Sequence, residues 1–105
     1  MRYDTAVYFQ KTIPGEYNDE TGDYEEPTVR ETKRIASVQP TSEKRMILVY
    51  GNIREDSRTI SLLNPYRDPF DHIRIGDILF TVDRKTTFRN KQAFVVSEVQ
   101  TAGND

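Results

Sequence analysis

Apolar and polar residues alternate in short runs separated by Gly, Pro, Asn and Asp clusters, the pattern of half-buried β-strands joined by turns. Thr5-Ala6-Val7-Tyr8-Phe9-Gln10-Lys11-Thr12-Ile13 predicts a first strand with Val7, Phe9 and Ile13 on one face, ended by Pro14-Gly15. Residues 16–26 follow as an exposed loop or hairpin tip around Thr21-Gly22-Asp23. Residues 28–38 return as a second strand, wet at its start through Arg30, Thr32 and Arg34 and stopped by Pro40. Residues 58–63 predict a third strand, broken by Asn64-Pro65, and Pro65 and Pro69 make 65–71 irregular because proline removes ladder donors. The clearest hairpin is His72-Ile73-Arg74-Ile75, Gly76-Asp77, then 78–83, since Gly at the first turn position permits positive φ. Residues 92–99 form the last strand, and 101–105 are expected to fray.

Residues 42–50 are open to two readings. Thr41 and Ser42 offer a hydroxyl cap, and Gly51 a stop, for a short helix, whereas Ile47, Val49 and Tyr50 equally suit a strand; the helix or a structured loop is favoured. Five or six strands fit one domain, 1–105, of the mainly β class: a small, partly open antiparallel β-barrel with long loops and at most one short helix. Within it Phe80 alternates with Ile78 and Val82, and Phe94 with Val96, which places both rings in the core.

Val, Ile, Leu and Phe supply 25 of 105 residues while 30% are charged, so a thin core lies under a large polar surface. That balance suits a marginal monomer or a protomer stabilised by its neighbours. With no cysteine there is no disulfide framework, thiolate nucleophile or Cys-based zinc site. The longest apolar run, Met46-Ile47-Leu48-Val49-Tyr50, is too short to span a bilayer, and Met1-Arg2-Tyr3-Asp4 does not begin a secretory signal, so a soluble protein made in the cytosol is expected.

The net charge of −2 conceals two poles. Glu16, Asp19, Glu20, Asp23, Glu25 and Glu26 lie in 14–27 with no base among them, whereas Arg84, Lys85, Arg89 and Lys91 lie in 84–92 with no acid among them. The bland reading is a pair of solvated loop tips; the sharper one is head-to-tail contact between copies. Phe88 sits inside the basic stretch. Covering its own barrel is the plainer role for it, and stacking a base or anchoring a neighbouring subunit are the alternatives.

Little in the chain is arranged for catalysis. His72 beside Asp68 and Asp71 reads as a polar turn rather than a metal site. The stretch 19–26 lacks the ligand order of a calcium loop, the glycines are scattered, and one histidine leaves no nucleophile–base pair. No enzymatic activity, cofactor or metal is expected.

The order of features resembles the head-completion proteins of long-tailed bacteriophages and prophages, also called head-closure, head-to-tail joining or stopper proteins. The resemblance lies in an N-terminal strand with a long polar hairpin ending in Ser37-Val38-Gln39-Pro40, then Thr41-Ser42-Glu43-Lys44 running to Tyr50-Gly51. Next come Asn64-Pro65-Tyr66-Arg67-Asp68-Pro69-Phe70-Asp71, the hairpin over Gly76-Asp77, and Phe94-Val95-Val96-Ser97-Glu98-Val99-Gln100. It implies a structural virion protein, made in the host cytoplasm, that docks as a homo-oligomeric ring beneath an adaptor or portal ring. A tail-completion or tail-tube protein would lie below, and genomic double-stranded DNA would pass through the channel, with no membrane involved. The inter-strand segment 41–57 would project into the channel, making Glu43, Lys44, Arg45, Arg54 and Arg58 channel or stopper candidates; its apolar stretch 46–49 departs from a wholly polar channel loop. Docking or subunit contacts would fall to the acids of 14–27 and to Arg84, Lys85, Phe88, Arg89 and Lys91. The alternatives are a single-stranded nucleic-acid-binding small barrel and a tail-completion joining protein of similar architecture.

Overall fold

The computed structural model describes residues 2–99. In these, strands β1 (Thr5–Ile13), β2 (Tyr17–Asn18), β3 (Asp23–Tyr24) and β4 (Thr28–Pro40) precede helix α1 (Glu43–Tyr50). Strands β5 (Ser57–Leu62), β6 (His72–Ile75), β7 (Ile78–Thr87) and β8 (Gln92–Glu98) follow. Six strands form an antiparallel barrel in the order β1-β4-β5-β8-β7-β6, and β2 and β3 pair separately. The mainly β barrel with one short helix read from the sequence is therefore the fold. Its ring closes, rather than staying partly open, because β6 pairs back onto Tyr8, Phe9 and Gln10 of β1. The expected fraying of 101–105 lies outside the described residues.

The period-two pattern has the consequence the pleat demands: Val7, Phe9, Ile60, Leu62, Ile73, Phe80, Phe94 and Val96 all turn inward and are buried. The proline-rich segment between β5 and β6 also turns inward. Tyr66 stacks on Phe9 with ring centroids 4.0 Å apart, and Phe70 meets Phe9 and Phe94 edge-on at 4.9 and 5.7 Å. The buried amide of Gln92 anchors this segment, its Oε1 accepting from the Tyr66 N–H at 2.7 Å and its Nε2 donating to Thr87 Oγ1 at 3.1 Å.

The β6–β7 turn has Gly76 at φ +58° and no positive φ at Asp77, the combination of a two-residue type II′ turn. Strand β7 runs past the expected end at Asp83. A register shift between Val82 and Arg84 leaves Asp83 unpaired, and pairing with β8 resumes at Arg84 opposite Val95. Arg84 and Lys85 thus belong to a strand and only 88–91 turns, which corrects the expectation of a basic loop over 84–92.

Helix α1 forms where the cap residues allow it. Ser42 Oγ accepts from the Arg45 N–H, Glu43 lies in the first turn, and the Gly51 N–H donates to Ile47 O at 2.9 Å. The helix lies on the outer face of β5 and β8, the side opposite Ile60 and Phe94. Met46 is its buried residue, and the Tyr50 hydroxyl donates to Asp83, which also accepts from Ser97 Oγ at 2.7 Å.

Candidate functional site, an acidic arm and a basic groove

β1 and β4 pair from Thr5 opposite Ala36 to Ile13 opposite Thr28, but the barrel holds only part of this ribbon. β6 pairs with β1 only at Tyr8 to Gln10, and β5 with β4 only from Ser37 to Pro40. Beyond the Gln10–Glu31 pair the ribbon, 11–13 with 28–30, leaves the barrel as an arm. At its crossing the Glu25 N–H donates to Glu16 O at 2.8 Å, and a Cβ on Gly15 would stand 1.6 Å from Glu25 O, so only glycine permits this approach. The ribbon then continues through β2 and β3, with Tyr17 opposite Tyr24. The molecule accordingly measures 55 × 36 × 21 Å.

The arm tip is a defined hairpin. The Gly22 and Glu20 N–H groups donate to Asn18 O and Oδ1 at 2.8 and 2.9 Å, and the Tyr17 and Tyr24 rings meet edge-on at 5.2 Å. Glu16, Asp19, Glu20, Asp23, Glu25 and Glu26 lie along this hairpin and its base and are all exposed. The acidic candidates therefore share one hairpin with an aromatic pair that sequence reasoning missed. Its only signal was the position of Tyr17 and Tyr24 either side of Thr21-Gly22-Asp23.

Arg84, Lys85, Phe88, Arg89 and Lys91 are exposed around the β7–β8 turn, which the Phe88 N–H closes on Lys91 O at 2.8 Å. Phe88 does not cover its own barrel: it is 63% exposed. Together with Leu48, Val49, Ala93 and Val95 it lines a groove of about 360 Å³ between α1 and the β7–β8 hairpin, with Arg45 and Arg84 also in its walls. On its other side Phe88 borders a cleft of about 410 Å³ that reaches Pro40, Ser42 and Lys91.

The channel candidates are not gathered into one cluster. Glu43, Lys44 and Arg45 are exposed on the first turn of α1. Arg54 instead forks onto Asp56 at 3.0 and 3.2 Å and lies 5.0 Å over the Tyr50 ring, while Arg58 donates to Glu55 O and Ser57 O, both at 3.0 Å. Burial works to raise the Asp56 carboxyl, and the Arg54 guanidinium outweighs it and holds that carboxyl below its usual range. Under the helix, Thr41 Oγ1 meets Ser57 Oγ at 2.8 Å and Thr59 Oγ1 at 3.1 Å, and the Tyr50 hydroxyl lies 3.4 Å from Ser57 Oγ. Burial, then the contact with Asp83, pushes the Tyr50 phenol up.

Asp71, weighed in the sequence as part of a polar turn, has a structural task. Its Oδ2 accepts from the Thr12 N–H at 2.8 Å, and its own N–H donates to Gln10 O at 2.7 Å, extending the β1 edge past β6. The Thr12 contact holds the Asp71 carboxyl below its usual range. Among the described residues, no three His, Asp or Glu side chains converge on a metal position. Comparison of the chain with protein-family models, curated proteins and solved structures returns no match.

Proposed function

We propose that this chain is a non-enzymatic virion protein that completes a phage head after DNA packaging, forming a ring at the head–tail connector that helps retain DNA and presents the tail attachment surface. The observation that carries this reading is the arm. A two-stranded ribbon is marginal alone in water, and this one holds Tyr17, Tyr24 and Val29 exposed beyond the barrel, as an element that packs on a neighbour does. The order of elements along the chain, on which the family resemblance rests, supports it further. On this reading Glu43 and Lys44 face the channel, Arg45 lines the groove beside Phe88, and Arg54 and Arg58 are committed to their own fold. A small net charge of −2 suits a passage through which DNA must slide without being trapped by phosphate contacts.

The test is a phage genome in which this reading frame is stopped. Its lysate should hold DNA-filled heads that leak DNA and carry no tails, with purified protein restoring both properties. Tailed, infectious particles from the stopped genome would refute the reading.

One observation favours a second reading, a single-stranded nucleic-acid-binding barrel: Phe88 is exposed beside Arg45 and Lys91. Tight, salt-sensitive oligonucleotide binding that Phe88→Ala weakens would establish it in place of the first.

A further inference from the structure

The arm tip and the groove beside Phe88 carry complementary chemistry. Among the described residues, none of the six tip carboxylates is in an ion pair, and neither are Arg45, Arg84, Lys85, Arg89 and Lys91. Each surface also exposes apolar bulk: Tyr17 at 54% and Tyr24 at 76% on the tip, Leu48 at 75% and Phe88 at 63% on the groove. An exposed aromatic pair on an acidic hairpin, and an apolar trough with basic residues in and beside its walls, are complementary in charge and in apolar character, as the two sides of a specific interface are. The groove's volume of about 360 Å³ is at the lower end of the ~300–1,000 Å³ found for built pockets, a size suited to aromatic side chains rather than to a whole element.

We propose that the Tyr17–Tyr24 tip of one copy of this chain seats in the groove between α1 and the β7–β8 hairpin of the next. Its acids then face Arg45, Arg84 and Lys91. The contact joins two different patches, so it is heterologous, and repeating it by rotation produces a closed ring or, where the angle does not close, a filament. The inference rests on the ring-forming part of the function proposed above and needs neither the phage head nor DNA. It assigns Tyr24 and Phe88 as facing anchors, with the charges setting partner choice and the rate of encounter.

The decisive experiment mixes two half-blocked proteins. One carries Tyr24→Ala, Glu25→Lys and Glu26→Lys, leaving its groove intact; the other carries Arg84→Glu and Phe88→Ala, leaving its tip intact. All five positions are exposed, and unchanged circular dichroism melts would establish that both proteins fold. By sedimentation equilibrium at low salt the wild type should associate, each variant alone at least about tenfold more weakly, and the equimolar mixture should stop at dimers. A photo-crosslinker placed at Tyr24 of the otherwise wild-type chain should map to 43–50 or 84–95 of a second copy.

Variants that associate as the wild type does, a mixture no better than its components, or a wild type that stays monomeric without such crosslinks would each overturn the proposal. So would an oligonucleotide that occupies the groove while the mixture forms no dimer. A chain that assembles through these surfaces yet is dispensable for DNA retention would refute head completion and leave the contact standing. A chain required for retention that associates despite both blocks would do the reverse.

Discussion

Arg74 on β6 reaches across β1 to Glu31 on β4, with Nε 2.7 Å from Oε2 and Nη2 3.0 Å from Oε1. The same guanidinium lies 4.1 Å over the Tyr8 ring, and Gln10 Nε2 donates to Glu31 Oε2 at 2.7 Å. Three strands are thus tied together where β6 closes the barrel onto β1. An exposed ion pair adds little on its own, but this one is bidentate, stacked and shared with an amide, which favours a single register at a short seam.

This clamp predicts an acid limb. The hydrogen bond from Arg74, then that from Gln10, lowers the Glu31 carboxyl from 4.5 to about 2. The folded chain therefore takes up this proton less readily than the unfolded chain. The clamp's contribution is complete above pH 4.5 and is lost as pH falls from there towards 2. Glu31→Gln should lower the melting temperature at neutral pH and make the fall below pH 4.5 shallower than in the wild type. Thermal melts from pH 7 to pH 2 check this, and parallel profiles would show that the clamp carries none of the acid sensitivity.

Gly15→Ala should unmake the tip without unmaking the barrel. The added Cβ would overlap Glu25 O at 1.6 Å, so the crossing must open and β2 must part from β3. Because the arm extends beyond the core, its opening is local, and the melting temperature should move by less than about 4 °C, the shift that ~1 kcal/mol gives a domain of this size. Limited proteolysis should cut 16–26 faster in the variant. Equal cleavage rates would mean that the close approach does not hold the tip.

What could be read beforehand was local. The first strand, Thr5–Ile13, stands as its alternation indicated, and Gly76-Asp77 turns the hairpin, because period and punctuation belong to neighbouring residues. Ser42 and Gly51 were legible as caps, but eight residues were too few for periodicity to separate helix from strand; the burial of Met46 and the bond from the Tyr50 hydroxyl to Asp83 of β7 decide it. Glu31 and Arg74 are 43 residues apart, and nothing in either neighbourhood reveals a register that sets them on adjoining positions. The same holds for Asp83, whose task depends on a bulge, and for the groove, whose walls come from α1, β7 and β8. The charge poles were visible as composition. That one projects as a ribbon and the other borders an apolar trough needed the pairing of distant strands.

Tyr66 tests whether the irregular segment belongs to the core. Its stack on Phe9 at 4.0 Å and its backbone bond to the buried Gln92 make it a wall of the barrel interior. Tyr66→Ala should cost about 3–5 kcal/mol, as large-to-small changes at buried aromatic sites do, a large share of the ~5–15 kcal/mol that holds a domain folded. Tyr66→Phe keeps the stack and should stay within about 1 kcal/mol of the wild type. Urea denaturation of the pair separates the outcomes, and equal midpoints for the two variants would remove Tyr66 from the core.

Tyr50 holds α1 to the barrel through its hydroxyl, which donates to Asp83 beside Ser57. Tyr50→Phe keeps the ring and removes the donor, so it should cost about 1.5–3 kcal/mol, the range for a hydrogen bond to a charged acceptor, and loosen the helix. The phenol is raised above 10 by burial and then by Asp83, so the folded chain holds this proton more tightly than the unfolded one. The stabilisation is therefore complete below pH 10 and lost as pH rises through the folded value. Wild-type stability should fall on that limb more steeply than the stability of Tyr50→Phe, and the difference between their tyrosinate absorbance titrations should show a step above pH 10. A difference step at or below pH 10, with matching alkaline limbs, would mean that the hydroxyl does not secure the helix.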